Sequence, residues 1–137
     1  MLGALVREGY EMTANRDEAQ VIIVNTCGFL QSSSKESVDT ILSLAKQKES
    51  GNCEKLVVTG CLPQRHPGEI SKELPEVDLF VGTNDYPQIA ELLKNEELPD
   101  REYIHKPLYI HNEETPRILS TPSYSAYIKI SEGCNHT

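Results

Sequence analysis

Apolar and polar positions alternate between two regimes along this chain. VIIVNT, Val21 to Thr26, is an almost unbroken apolar, β-branched run, and KLVVTG, Lys55 to Gly60, repeats it. VDLFVG, Val77 to Gly82, is a third run of the same kind. Short apolar runs without polar alternation predict strands buried on both faces of a parallel sheet. The segments between them carry helical spacing. Leu2, Leu5 and Val6 repeat at helical intervals before Gly9, a C-terminal stop. In QSSSKESVDTILSLAKQKES, Ser33 and Glu36 have capping-box spacing, and Val38, Ile41, Leu42 and Ala45 form one apolar face that ends at Gly51 and Asn52. PQRHPGEISKEL predicts a short helix with Pro67 near its start. TNDYPQIAELLKN predicts another, with Asp85 as cap, Pro87 in the first turn, and Ile89, Leu92 and Leu93 toward the core.

The order is one helix followed by three β-α units. It predicts an α/β fold: an open parallel sheet with helices on both faces and its strand C-termini on one edge. After Asn95 the pattern changes. Residues 96–124 are rich in Pro, charge and aromatic residues without helical period, and predict an extended linker with one or two short strands, such as PLYI. Residues 125–137, with AYIKI alternating, predict the start of another domain. The domain proper is expected over 1–95.

Composition narrows the function. The 137 residues, 38% hydrophobic and 25% charged, suit one globular domain with a short extension. No apolar stretch approaches the ~18 residues of a spanning helix, and Arg7, Glu8 and Glu11 break any secretory signal. A net charge of −8 argues against a sequence-independent grip on nucleic acid by this segment. Four cysteines without a secretory signal place the chain in the cytoplasm, where metal binding, redox chemistry or plain burial are the open roles.

Two cysteines stand out by position. Cys27 and Cys61 each directly follow an apolar run, at the sheet edge where α/β folds bind ligands. Thiolates gathered there suit a soft metal centre, zinc or iron–sulfur, with Gly28 and Gly60 opening space for a bulky group. Burial as small apolar residues is the competing role. Cys53, after Gly51 and Asn52, is expected in a surface loop as a bystander. His66, His105, His111 and His136 lack zinc-finger spacing to any cysteine and are expected to be solvated or packed. Asn25, Thr26, Gln64, Arg65, Thr83, Asn84 and Asp85 lie at the same edge, with lining and capping roles both open.

VNTCGF followed by ES-VD-I, VTGCLPQR, PEVDLFVGTNDY and ISEGCNHT occur in this order across nearly the whole chain. Together they resemble the methylthiotransferases of the radical S-adenosylmethionine superfamily. CGF after NT, GTNDY and RILSTPSYSAYIKISEGCNHT are most similar to the branch that modifies an aspartate of small-subunit ribosomal protein twelve. The resemblance implies an N-terminal α/β domain in which three cysteines hold an auxiliary 4Fe-4S cluster, then a radical barrel whose CxxxCxxC motif holds a second. It carries Cys27 and Cys61 onto the second and third auxiliary ligands, with the first in a strand preceding Met1, and Cys134 onto the first radical-site ligand. S-adenosyl-L-methionine is the implied cosubstrate and the ribosomal protein the implied partner. The chain by itself, with both ligand sets incomplete, is expected to be inactive, and a strand edge near VIIVNT is expected to be open to self-association. The competing readings are a tRNA adenosine methylthiotransferase, a non-enzymatic α/β module of receiver type, and a zinc or thiol-redox protein using Cys27 and Cys61. The receiver reading suffers from Cys, Cys and Thr where receivers carry aspartates.

Overall fold

The structure, a computed structural model, describes residues 1–95, 100–106, 115–116, 118, 121–128 and 130. Four parallel strands form one sheet: β1 (Val21–Thr26), β2 (Lys55–Gly60), β3 (Leu79–Val81) and β4 (Glu102–Tyr103), side by side in chain order. Helices α1 (Leu2–Arg7), α2 (Gln31–Ala45), α3 (Gln47–Ser50), α4 (Cys61–Arg65), α5 (Ile70–Glu73) and α6 (Ile89–Lys94) surround it. The parallel α/β architecture expected from the alternating pattern is the one observed.

Period two explains why the strands read as unbroken apolar runs. Ile22, Val24, Leu56, Val58 and Phe80 point to one face, where they pack with Ile41 of α2, Leu62 of α4, and Ile70 and Leu74 around α5. Val21, Ile23, Val57, Leu79 and Val81 point to the other, against Leu5 of α1 and Ile89, Leu92 and Leu93 of α6. Each central strand therefore needs apolar residues at consecutive positions. Phe80, Ile41, Leu56 and Val57 are fully buried, each contributing about 1.5–3 kcal/mol of apolar transfer.

Several local features depart from the expected ones. Helix α2 begins two residues before Ser33, with Leu30 at its N-cap, so the Ser33–Glu36 capping box is not used. Ser34 and Ser37 instead bond back to the carbonyls of Leu30 and Ser33. The α2 stripe is rotated: Ile41, Val38, Leu44 and Ala45 face the core, while Leu42 is exposed. The segment after Cys61 forms two short helices, with α4 starting at the cysteine itself. Strand β3 is shorter than VDLFVG; at its start the Asp78 carboxylate, paired with Lys48, accepts the Leu56 backbone N–H at 2.7 Å in place of a ladder carbonyl. A short strand was expected at PLYI, which lies outside the described residues; the described one is β4, whose two polar residues pair with Phe80 and Val81. Arg101, just before it, stacks over Phe80 at 5.9 Å and donates to the carbonyls of Leu74, Pro75 and Val77. Gly9 ends α1 with φ +91° and Tyr10 N–H returns to the Leu5 carbonyl, as the stop signal predicts.

Candidate metal centre

All strand C-termini open on one edge. In the β1–β2 register Thr26 faces Gly60, and the next residue on each chain is a cysteine. Cys27 and Cys61 are both free and exposed there. Their shared position follows from two strands of equal length ending in step, the runs VIIVNT and KLVVTG.

The glycines around them have a different task from the one expected. Gly60 has φ +102° and ψ −154°, a region open almost only to glycine, and a side chain on it would collide with the Thr26 carbonyl oxygen. A Cβ on Gly28 would lie 3.0–3.1 Å from the backbone of Cys61 and Leu62. Both glycines make room for the neighbouring strand exit. They draw the Cys27 loop tightly onto the start of α4. The Thr26 hydroxyl is also consumed inside the sheet, donating to the Thr59 carbonyl at 2.7 Å.

Two residues that spacing left unassigned hold this edge together. Arg65 Nη1 donates to the Gly28 carbonyl at 2.8 Å and to that of Phe29 at 3.5 Å. Gln64 Oε1 accepts from the Thr83 N–H and hydroxyl at 2.9 and 3.2 Å, while its Nε2 donates to the His105 carbonyl at 3.1 Å. The signal for them was present: Gln64 and Arg65 stand three and four residues after Cys61, on the same side of one helical turn. That signal becomes legible only once the helix is known to begin at the cysteine.

Asp85 is not the side-chain cap that was expected. Its buried carboxylate accepts from His105 twice, from the backbone N–H at 2.9 Å and from Nδ1 at 2.7 Å. His105 is thus anchored at its Nδ1 side, with most of the ring in solvent. His66 is exposed and pairs with Glu69. His111, His136 and Cys134 lie outside the described residues. Cys53 is buried, 6% exposed, instead of lying on a surface loop, and burial raises its thiol pKa above the ordinary value.

Among the described residues the donor set at the edge is therefore two exposed thiols. Among the described residues, no three His, Cys, Asp or Glu side chains stand together as a metal site. Two thiols on adjacent strand exits fit a soft, thiolate-bound centre and leave its coordination to be completed by further ligands. Among the described residues, no helix is long and apolar enough to cross a membrane.

A parallel α/β domain with cysteines at two neighbouring strand exits is the class that fold and site define. Residues 1–82 match the model of the uncharacterized protein family UPF0004, and the chain belongs to that family. It is 52% identical over 138 residues to the ribosomal protein uS12 methylthiotransferase RimO of Trichlorobacter lovleyi, covering 99% of this chain and 31% of that protein. The protein of the same name from Geobacter sulfurreducens is 50% identical over 138 residues, again 99% of this chain and 31% of the relative. That of Myxococcus xanthus is 54% identical over 136 residues, 99% of this chain and 28% of the relative. The chain spans about a third of the length of these curated relatives.

Proposed function

We propose that this chain is the auxiliary iron–sulfur domain of a methylthiotransferase acting on ribosomal protein uS12. Half identity along 99% of the chain to relatives of that name carries the reading. The two edge cysteines supply the chemistry that such a domain needs. Cys27 and Cys61 would hold a 4Fe-4S cluster together with a ligand from elsewhere, and Cys134 would be one ligand of a second cluster that works with S-adenosyl-L-methionine. A cluster bound at the sheet edge supplies thiophilic iron, the chemistry needed to handle the sulfur of a methylthio group.

The chain's own residues contribute binding and placement. The Cys27 and Cys61 thiols bind; Arg65 and Gln64 fix the segments that carry them; the ribosomal substrate meets other parts of a longer enzyme. The acidic surface fits a partner other than nucleic acid for this domain, and the cytoplasm is the compartment where its thiols stay reduced. Residues 1–95 act as the domain and 96–124 as a linker whose strand β4 joins the domain's sheet, with 125–137 leading into the radical domain. The outer side of β1, which pairs only with β2 among the described residues, is the chain's route to self-association.

Iron and labile sulfide per chain, measured after anaerobic reconstitution of the wild type, Cys27→Ala and Cys61→Ala, test the site. The expected result is a cluster in the wild type that both substitutions remove. Wild-type iron retained in either variant would overturn the assignment. A methylthio mass increment on uS12, from an enzyme carrying this domain, tests the substrate; the same increment on a tRNA nucleoside instead would refute it.

A further inference from the structure

Helix α4 is five residues long, yet its side chains reach every strand exit of the sheet. Cys61 is the exit of β2. Arg65 extends to the exit of β1, where its Nη1 donates to the Gly28 carbonyl and reaches that of Phe29. Gln64 extends the other way, to Thr83 after β3 and to His105 after β4. Gly82 lies beneath it: a Cβ there would come 2.6 Å from both Gln64 Oε1 and Asp85 Oδ2, so these side-chain ends would have to shift. Asp85 in turn fixes His105, the residue whose carbonyl Gln64 holds.

We propose that Gln64 and Arg65 are positioning residues which together set the relation of the Cys27 and Cys61 thiols. The proposal rests on the reading of those thiols as cluster ligands and adds what holds them. The physical reason lies in the geometry of the β1–α2 connection. Cys27 sits on a segment of which Phe29 and Leu30 are exposed, so apolar packing does little to hold it beyond the glycine contact. A charge-assisted bond from Arg65 Nη1 to the Gly28 carbonyl at 2.8 Å, with a longer contact to that of Phe29 at 3.5 Å, replaces that packing. Gln64 does the same for α4. It accepts from two donors of Thr83 and donates to one carbonyl at once, so sliding or rotating the helix along the edge breaks three hydrogen bonds together. Neither residue is expected to touch a reacting atom.

The test needs a readout of thiol placement that does not depend on a metal. Dibromobimane becomes strongly fluorescent when two thiolates each displace one bromide from the same molecule. On the metal-free 137-residue chain, cross-linking is expected in the wild type and absent in Cys27→Ser and Cys61→Ser. In Arg65→Ala the rate should fall about tenfold, the cost of one charge-assisted hydrogen bond. Arg65→Lys, which can still donate to one carbonyl, should fall less. Gln64→Glu, which keeps the acceptor for Thr83 and loses the donor to His105, should lie between wild type and Gln64→Ala. Buried Cys53 is the internal control, since general loosening would expose it to alkylation. Where an alanine variant unmasks Cys53, Arg65→Lys and Arg65→Gln carry the test. A graded loss with Cys53 protected supports the proposal, and rates within twofold of wild type across the series overturn it.

Iron per chain, measured on the same proteins, separates this proposal from the one beneath it. Cross-linking that follows Arg65 in a chain that binds no iron would keep the positioning role and remove the cluster. Full iron binding with cross-linking indifferent to Arg65 and Gln64 would keep the cluster and remove the positioning role.

Discussion

Replacing Gly60 by Ala tests the geometry that brings the two cysteines to one edge. At φ +102° and ψ −154° any L side chain is strained, by about 1–3 kcal/mol. The added methyl would also collide with the Thr26 carbonyl and come within 2.8 Å of Asn25 Oδ1 and 2.9 Å of the Thr26 nitrogen. These are mostly backbone atoms of β1, so relief requires the strand end to move, an overpacking cost of about 1–3 kcal/mol. That movement pulls the Thr26 hydroxyl off the Thr59 carbonyl, about 1 kcal/mol more. A loss of about 4 kcal/mol is a large share of the ~5–15 kcal/mol that stabilises a typical domain. Urea unfolding followed by circular dichroism would show it as a midpoint lowered by about 2 M at constant slope. Gly68→Ala is the comparison, because Gly68 has φ +73° and nothing within 4 Å of its would-be Cβ. It should show the backbone penalty alone, about 1 kcal/mol. A Gly60→Ala midpoint within about 0.5 M of wild type, or equal to that of Gly68→Ala, would refute the collision with β1.

Phe80→Ala empties the centre of the sheet face covered by α2 and α5 and removes the ring beneath Arg101; a loss of about 3–5 kcal/mol is expected by urea titration. Cys53, with its thiol pKa pushed up by burial, should alkylate more slowly than Cys27 and Cys61, as mass spectrometry of a timed iodoacetamide reaction would resolve. The same shift makes stability depend on pH: the folded state holds the Cys53 proton more tightly than the unfolded one. That contribution is complete below the ordinary thiol pKa and is lost as pH rises through the raised folded value, and Cys53→Ala should flatten the alkaline limb of a melting-temperature profile. The Glu8 carboxyl is held below its usual range by its hydrogen bond to Lys94, so this link between α1 and α6 is present above the ordinary carboxylate pKa and fails as pH falls through the depressed value. Lying in solvent, the pair should matter less in high salt, and a Lys94→Met acid titration indistinguishable from wild type at low salt would remove it.

Much of the fold was legible because it is local. VIIVNT and KLVVTG declare buried parallel strands through consecutive apolar residues, since each strand is covered on both faces, and a cysteine directly after each marks the edge. Gly9 and the Ile89–Leu92–Leu93 stripe are readable for the same reason: backbone conformation and helical period act within a few residues. Contacts between distant segments were not legible. Glu102–Tyr103 has no apolar run to announce it and becomes a strand because Phe80 and Val81 offer an unpaired ladder beside it. Asp85 has the composition of a cap, but a histidine twenty residues later supplies a stronger partner. Cys53 follows a turn-forming pair and still goes inward, because the strand it precedes is central. Gly28 and Gly60 signal space in the sequence; only the packed sheet shows that the neighbouring backbone fills it. The chain by itself thus determined the three apolar strands, the helices around them and the two thiols that directly follow a strand. The tertiary structure decided which side chains meet across the sheet edge, because strand order and register bring together residues that no local spacing relates.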